Sequence, residues 1–462
     1  MIQRLLDTLR ARLPARIRQD ANLKDLLRNS GILYAAGMIS LALTYLQQLT
    51  TANLLGAEDY GRYAIVVSSG MLMMLIADFR TWEIGSKLLA RPMGDSDHPE
   101  FIRITSWLLF LEILTGGLST LLLILLANFI AHEFLHAPEL SSLLTVFAFS
   151  LPFRTMSVGV LGVIPRFYNR FNWLAWKSIG YAVIRLILIT GAAWMGFGLT
   201  GVIVGVVVGE ILNTLILFFF YQRIWQQHMM PDSRRLLSLK QPLSEIGWRK
   251  LLVDQWVSST LAGIHYQLFI PVVALLTTPV HVGVLRSGMD IADLLERAIQ
   301  PITLVFSPRI IALFEQNNLR EFRRYLKQVA LLLIGIMLPL SGVLLISAPF
   351  ILPRFYDPNE FVGLVPVAMW LVLGTGIYNS LFWWVRPALI TVTGLRYNNI
   401  LLTIWIVIGA LGLIAFVPDY AAAGAGAVRA AFLGLYALTS YFQLKYALDQ
   451  LEARSNMNLI KA

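Results

Sequence analysis

The chain has 462 residues, of which 57% are hydrophobic and only 14% are charged. Soluble domains are about 45–50% apolar and about 25% charged, so this composition excludes an ordinary soluble fold and indicates an integral membrane protein. The sequence contains no cysteine, which excludes disulfides, thiolate catalysis and cysteine-ligated metals. The net charge of +10 is explained by basic residues that collect on one side of a membrane, so no nucleic-acid partner is expected.

The first 28 residues form a basic segment that precedes the apolar sequence. Ile2, Leu5, Leu9 and Leu13 recur at helical spacing, with arginines between them. This pattern favours a short helix lying on the anionic cytoplasmic leaflet. A basic tail that only sets the orientation of the chain is an equally open interpretation.

Twelve apolar segments are long enough to span a membrane, since a spanning helix needs roughly 20 mainly apolar residues. Pro387 lies within the tenth segment and favours a break there. The predicted spans are 30–53, 62–88, 104–131, 140–163, 173–196, 199–222, 251–276, 281–307, 328–352, 361–393, 397–417 and 424–447.

The distribution of basic residues provides an independent test of these spans. With the N-terminus in the cytoplasm, 28 of the 37 lysines and arginines fall in cytoplasmic segments. Only Arg62 and Arg354 fall on the opposite side, and the other seven lie within spans. The positive-inside rule therefore predicts twelve spans with both termini cytoplasmic.

The expected fold class is thus an all-α integral membrane protein with two bundles of six helices. The bundles would occupy residues 29–222 and 251–447, joined by a polar cytoplasmic linker at 223–250 and followed by a cytoplasmic tail at 448–462. Both bundles would enter from the cytoplasm, as parallel repeats do.

A conspicuous motif follows the first span, where Leu54–Gly70 reads LLGAEDYGRYAIVVSSG. It resembles the turn between the first two helices of the Wzx-type polysaccharide-export flippases of the MOP superfamily. Further similarity lies in RFYNRFNWLAWKS, in FSPRI and in FYDPNEFVGLVPVAMWL. The chain departs from that family at Asp78–Gly85, where DFRTWEIG replaces a "DLGL"-like run.

The resemblance implies a transporter, not an enzyme, in the bacterial inner membrane. Its substrate would be an oligosaccharide linked to a polyprenyl (pyro)phosphate, flipped by alternating access for surface polysaccharide assembly. The expected partners are this substrate, membrane lipids, and a polysaccharide polymerase with other assembly proteins. No cofactor or metal is expected, and no GxxxxGK[ST] nucleotide-binding motif occurs in the sequence.

Fifteen ionisable residues lie within the predicted spans. Each costs several kcal/mol in lipid, so these side chains should face a hydrated interior or one another. They are Arg80, Arg154, Arg185, Arg286, Arg297, Arg386, Arg429, Asp78, Glu83, Glu112, Glu210, Asp254, Asp290, Asp293 and Glu296.

The eighth span carries the clearest pattern. Arg286, Asp290, Asp293 and Arg297 fall at i, i+4, i+7 and i+11, which places them on one stripe of a helix. The stripe predicts a wall that contacts substrate or a coupling ion, with Asp290 or Asp293 as the coupling carboxylate. The alternative is internal pairing of Arg286 with Asp290 and of Asp293 with Arg297.

The other candidate contacts to phosphate or sugar are also arginines, whose planar guanidinium binds phosphate in a fork. Arg154 and Arg386 adjoin prolines at bilayer depth, where a cavity is easily formed. A structural ion pair is the alternative at each. Arg80 has Glu83 as a competing partner, and Arg185 could instead pair with Glu210.

Two other function classes are alternatives to a flippase. A small-solute or multidrug antiporter of the same superfamily would need a net acidic cavity, which the seven arginines within spans disfavour. A membrane polymerase or glycosyltransferase needs a sizeable external loop or domain, whereas the predicted outer loops are short.

Overall fold

The computed structural model describes residues 21–77, 85, 88–89, 98–228, 256–257, 260–261, 263–316 and 319–461. Residues 1–20 of the basic segment, residues 229–250 of the linker predicted at 223–250, and Arg80 lie outside the described residues. Within the described part of the chain, regular structure is helical throughout and no strand occurs.

Thirteen α-helices are defined in the described ranges, and two five-residue π-helical turns, Ile130–Phe134 and Leu186–Thr190, continue α2 and α6. The helices are α1 (Ala21–Ala77), α2 (His98–Phe129), α3 (Leu140–Ala148), α4 (Leu151–Val158), α5 (Val160–Phe167), α6 (Phe171–Arg185), α7 (Gly191–Trp194), α8 (Gly198–His228), α9 (Phe269–Leu276), α10 (Pro279–Glu315), α11 (Leu319–Phe355), α12 (Leu364–Thr393) and α13 (Leu395–Lys461).

The two longest helices are each interrupted by a residue with non-helical backbone angles. Gly56 interrupts α1 with φ 76° and ψ 170°, and Ala421 interrupts α13 with φ 46° and ψ −127°. Positive φ is accessible to glycine at little cost, which explains the glycine in α1. Both interruptions fall between predicted spans.

Seven helical segments in the described residues are long and apolar enough to cross a membrane, or eight if one bent pair is counted as a span. The bent pair is Leu140–Ala148 with Leu151–Phe167, which meet at 43°. Large apolar side chains on these helices are exposed, including Trp194, Ile346 and Phe350. Such side chains are stable at the surface only if lipid covers them.

The break in the fourth predicted span is satisfied by a buried acid. Gly159 has φ −76° and ψ −138°, and the following Val160 N–H donates to Glu112 Oε1 at 2.6 Å. Non-helical backbone is tolerated at membrane depth where protein groups satisfy it. Glu112 of α2 therefore holds the junction of α4 and α5.

α10 contacts helices from both the N-terminal and the C-terminal part of the chain. It packs against α1 on one side and against α11 and α12 on the other. The largest apolar core accordingly combines residues from both parts, such as Tyr60 and Phe147 with Leu285 and Val367. α1 and α10 therefore supply the contacts from which the candidate site is built.

Candidate functional site

The carboxylate of Asp290 on α10 is the centre of a hydrogen-bonded cluster between α1 and α10. Its Oδ1 accepts from Gln48 Nε2 at 2.8 Å and from Arg286 Nη2 at 2.7 Å. Its Oδ2 accepts from the hydroxyl of Tyr60 at 2.6 Å. Asp290 is buried, so these donors replace the water that a carboxylate would otherwise require.

The predicted stripe on α10 divides into buried and open positions. Arg286 pairs with Asp290, and its side chain is only 18% exposed. Asp293 accepts a hydrogen bond from the hydroxyl of Tyr266 at 2.8 Å, so its observed partner is not Arg297. Arg297 itself is exposed. The internal pairing proposed as an alternative is thus present for Arg286 with Asp290.

A second charged cluster lies among α4, α6 and α8. Arg154 Nη1 and the hydroxyl of Tyr181 both donate to Glu210 Oε1, each at 2.7 Å. Arg185, considered above as the partner of Glu210, has its guanidinium 5.7 Å from the centre of the Tyr181 ring. Lys177 Nζ lies 5.6 Å from the centre of the same ring.

The two remaining arginines within spans that the structure describes contact aromatic rings. The guanidinium of Arg386 lies 5.6 Å from the centre of Phe382, which stacks on Tyr378 at 4.2 Å. Arg429 is buried and lies 4.9 Å from the rings of both Tyr266 and Phe269. Cation–π contacts of this kind stabilise a desolvated guanidinium. Arg386 therefore packs on an aromatic ring, and among the contacts of the described residues no carboxylate neutralises its charge.

The motif at Leu54–Gly70 makes the closest approach of α1 to α10. A Cβ atom built on Gly61 would lie 1.8 Å from the carbonyl oxygen of Pro279. A Cβ built on Gly283 would lie 1.9 Å from the carbonyl oxygen of Ala57. The two backbones are in direct contact, which only glycine permits at either position.

The turn around Gly56 also contacts the segment between α11 and α12. Asn53 Nδ2 donates to the carbonyl oxygen of Phe355 at 2.6 Å, and Asn53 Oδ1 accepts from Asp357 N–H at 3.4 Å. Glu360 Oε2 accepts from Ala57 N–H at 3.4 Å. Together with the Gly61–Gly283 contact, these bonds close this end of the molecule.

Several of these residues were not predicted as site residues. Tyr60 and Gly61 belong to the motif at Leu54–Gly70, and for Gln48, near the outer end of the first span, the sequence leaves sugar contact and interhelical hydrogen bonding equally open. Lys177 counts in the sequence only as a basic residue at the cytoplasmic end of the fifth span, and Tyr181 carries no prediction. A signal was present for the last two, because Lys177, Tyr181 and Arg185 recur at i, i+4 and i+8.

No group of three or more His, Cys, Asp or Glu side chains that could hold a metal ion occurs in the part of the chain that the structure describes. The contacts found in this region are hydrogen bonds, ion pairs and cation–π contacts.

Residues 26–314 match the family described as "polysaccharide biosynthesis protein". No curated protein sequence matches the chain significantly.

Solved structures with the same fold are transporters. An inward-facing multidrug-resistance MATE family transporter of the MOP superfamily superposes with a TM-score of 0.70 at 14% identity, over 92% of this chain and 99% of the other. The lipid II flippase MurJ in an inward closed conformation superposes with a TM-score of 0.67 at 15% identity, over 93% of this chain and 92% of the other. A Vibrio cholerae MATE transporter superposes with a TM-score of 0.58 at 14% identity, over 92% of this chain and 97% of the other.

These matches agree with the exposed apolar helices and the membrane-embedded charge clusters. They confirm the predicted family and the all-helical membrane fold. The chain belongs to the polysaccharide biosynthesis protein family and is a multi-pass membrane protein with the fold of the MATE transporters and the MurJ flippase.

Proposed function

We propose that this protein is a flippase that moves a polyprenyl-(pyro)phosphate-linked oligosaccharide across the bacterial inner membrane for surface polysaccharide assembly. The family match supports a polysaccharide pathway, and the likeness to a lipid II flippase supports a lipid-linked substrate. The structural observation that carries the proposal is the Asp290 cluster. Asp290 lies 11 residues from the start of α10, which is about 16 Å along the helix and near mid-depth of a bilayer.

The topology that we infer has twelve spans and both termini in the cytoplasm. Dividing α1 at Gly56 and α13 at Ala421 yields two spans from each. The spans would form two bundles, residues 29–222 and 251–447, joined by the linker at 223–250. Asp290 and its donors would then lie at the boundary between the bundles.

In this orientation the Gly61–Gly283 contact lies on the outer side of the membrane. The structure is then closed to the outside, and transport requires α1 and α10 to separate at this contact. Alternating access would expose the phosphate and sugars first to the cytoplasm and then outside, while the prenyl chain stays in lipid. A membrane-embedded site between two movable bundles is how carriers of this kind operate.

The coupling ion, if a gradient drives transport, would bind to Asp290 or Asp293. Asp290 is the stronger candidate because its charge holds Gln48 and Tyr60 of α1 to α10. Protonation would remove that charge and weaken the contacts that join the two parts. Asp293 accepts a hydrogen bond from Tyr266 and is half-buried.

The decisive experiment is translocation of lipid-linked glycans by purified protein in liposomes. Alanine variants of Arg286, Arg297 and Arg386, the candidate contacts to phosphate or sugar, should lose translocation of a lipid-linked glycan. The control is Arg324→Ala, whose side chain is 70% exposed. Normal translocation by all three variants at equal reconstitution would remove these arginines from the substrate site.

The same liposomes test the antiporter alternative. Uptake of a fluorescent cationic drug, with no movement of lipid-linked glycan, would overturn the flippase proposal. The Arg154 cluster disfavours that outcome, because three cations surround one carboxylate there.

A further inference from the structure

The cluster among α4, α6 and α8 carries an excess of positive charge inside the membrane. Lys177, Tyr181 and Arg185 lie on one face of α6, and Arg154 and Glu210 reach the same face from α4 and α8. Glu210 lies 12 residues from the start of α8, about 18 Å along that helix and close to mid-depth of a bilayer. Glu210 is the one carboxylate in the contacts described for this cluster.

The single carboxylate does not satisfy the cations around it. Both of its short hydrogen bonds, from Arg154 and Tyr181, end on the same oxygen, Oε1. The Nε atom of Arg185 is buried and has no hydrogen-bond partner among the described residues. The side chain of Arg185 packs against Gly209, whose Cβ position lies 3.6 Å from Arg185 Cγ, so the guanidinium is held beside Glu210.

An uncompensated cation at this depth is costly, because a low dielectric penalises charge that lacks a counter-ion. Arg286 differs in this respect, since it already forms an ion pair with the Asp290 carboxylate at 2.7 Å. The cluster is also open to an approaching ligand: the Arg154 side chain is 34% exposed, and Lys177 is half-buried. An anion entering here would supply the missing negative charge.

We propose that Arg154, Lys177 and Arg185 form a phosphoryl-binding site that takes the phosphate or pyrophosphate of the lipid carrier. Glu210 acts as the internal counter-ion of the empty site and releases Arg154 when the ligand binds. Guanidinium groups bind phosphate oxygens in pairs, and an ammonium adds a compact positive charge. This inference rests on the proposed function and places the headgroup on α4 and α6, away from the stripe on α10.

The test measures binding of farnesyl pyrophosphate to the purified full-length protein by titration calorimetry, with farnesol as the uncharged ligand of the same chain length. The wild type should bind farnesyl pyrophosphate and bind farnesol at least about tenfold more weakly, because loss of a charge-assisted hydrogen bond has this magnitude. Lys177→Gln and Arg185→Gln should each weaken the binding of farnesyl pyrophosphate about tenfold and leave the binding of farnesol unchanged. Arg324→Gln is the matched control and should bind as wild type does.

Glu210→Gln distinguishes a counter-ion from a ligand-binding scaffold. The substitution keeps the shape of the side chain but releases the charge of Arg154, so farnesyl pyrophosphate should bind more tightly. Weaker binding by a variant that melts at the wild-type temperature would overturn the role assigned to Glu210. Wild-type affinity in both Lys177→Gln and Arg185→Gln would overturn the site as a whole.

Inorganic pyrophosphate identifies the source of the phosphoryl group. It should compete with farnesyl pyrophosphate only at much higher concentration if the prenyl-linked headgroup is the ligand. Equal competition would overturn the assignment to a lipid headgroup. If the wild type translocates lipid-linked glycan and the Lys177→Gln and Arg185→Gln variants bind and translocate normally, the phosphoryl-binding site is contradicted and the flippase function is not. If binding depends on charge but the wild type translocates no lipid-linked glycan, the flippase function is contradicted instead.

Discussion

Asp290 receives hydrogen bonds from three side chains, of which only Arg286 is near it in sequence. Gln48 and Tyr60 lie 242 and 230 residues away and belong to α1. A buried carboxylate with several donors is stable as an anion, whereas loss of one partner of a buried ion pair leaves an isolated charge. At the scale of single residues, the Asp290 carboxylate therefore both neutralises Arg286 of its own helix and holds α1 against α10.

Neutralising one member of this pair should destabilise the protein more than neutralising both. We expect Asp290→Asn and Arg286→Gln each to lower the free energy of unfolding by about 3 kcal/mol, because each leaves an unpaired group in a buried setting. The double variant should recover part of this loss. Thermal unfolding in detergent measures the effect.

The double-mutant cycle has a clear negative outcome. Additive effects, within about 0.5 kcal/mol, would show that the two side chains do not stabilise one another. The control is Asp293→Asn, which changes a carboxylate that accepts its hydrogen bond from Tyr266. It should not couple to Arg286→Gln with the same strength.

At the scale of helices, glycines decide where backbones meet. Gly61 and Gly283 allow α1 and α10 to touch through their main chains, whereas Gly159 allows a break that Glu112 satisfies. A Cβ built on Gly159 would lie 2.0 Å from Glu112 Oε1, so the Glu112 carboxylate can occupy this position only because residue 159 is glycine. The helices are thus shaped by tertiary contacts that local helix propensity does not encode.

Gly61→Ala should prevent full closure of α1 against α10. The added Cβ would fall 1.8 Å from the Pro279 carbonyl oxygen, which belongs to rigid backbone. The helices must separate, and the contact of Asn53 with Asp357 should loosen. Because the natural chain has no cysteine, the pair Asn53→Cys and Asp357→Cys reports this change through the rate of cross-linking by a short bis-maleimide.

Gly37→Ala provides a matched control on the same helix, since a Cβ there meets no atom within 4 Å. Its cross-linking rate should equal that of the parent, and its stability should rise slightly because alanine favours helix. Equal cross-linking in the Gly61→Ala and parent proteins would contradict the proposed closure.

At the scale of the whole molecule, long apolar helices expose many large side chains. Phe350 is 69% exposed and Leu125 is 67% exposed. Only a lipid environment makes such a surface stable. The basic residues, by contrast, concentrate in the segments predicted to face the cytoplasm, and this asymmetry predicts the orientation.

Single cysteines in the cysteine-free chain should test that orientation without background labelling. An impermeant maleimide applied to intact spheroplasts should label Asp419→Cys, because the predicted turn between the last two spans lies outside. Glu315→Cys should be labelled only after the membrane is permeabilised. Both positions are exposed in the structure. The reverse pattern would invert the topology and place the Gly61–Gly283 contact on the cytoplasmic side.

The sequence by itself determined the membrane-spanning character of the chain and its family. Apolar length is a local property, because each span must cross the same hydrocarbon thickness. The motif Leu54–Gly70 pointed to the correct family for a related reason: it is contiguous, and its glycines and tyrosines can be read directly. The stripe on α10 was also readable, since its spacing follows from helix geometry alone.

Only the tertiary structure decided which charges meet. Glu210 pairs with Arg154 of α4 and with Tyr181, although the sequence suggested Arg185 as its partner. Asp290 joins α10 to α1, and Asp293 binds Tyr266 instead of Arg297. These choices depend on how each helix is rotated and where glycines let backbones approach, and such contacts form between residues tens to hundreds of positions apart.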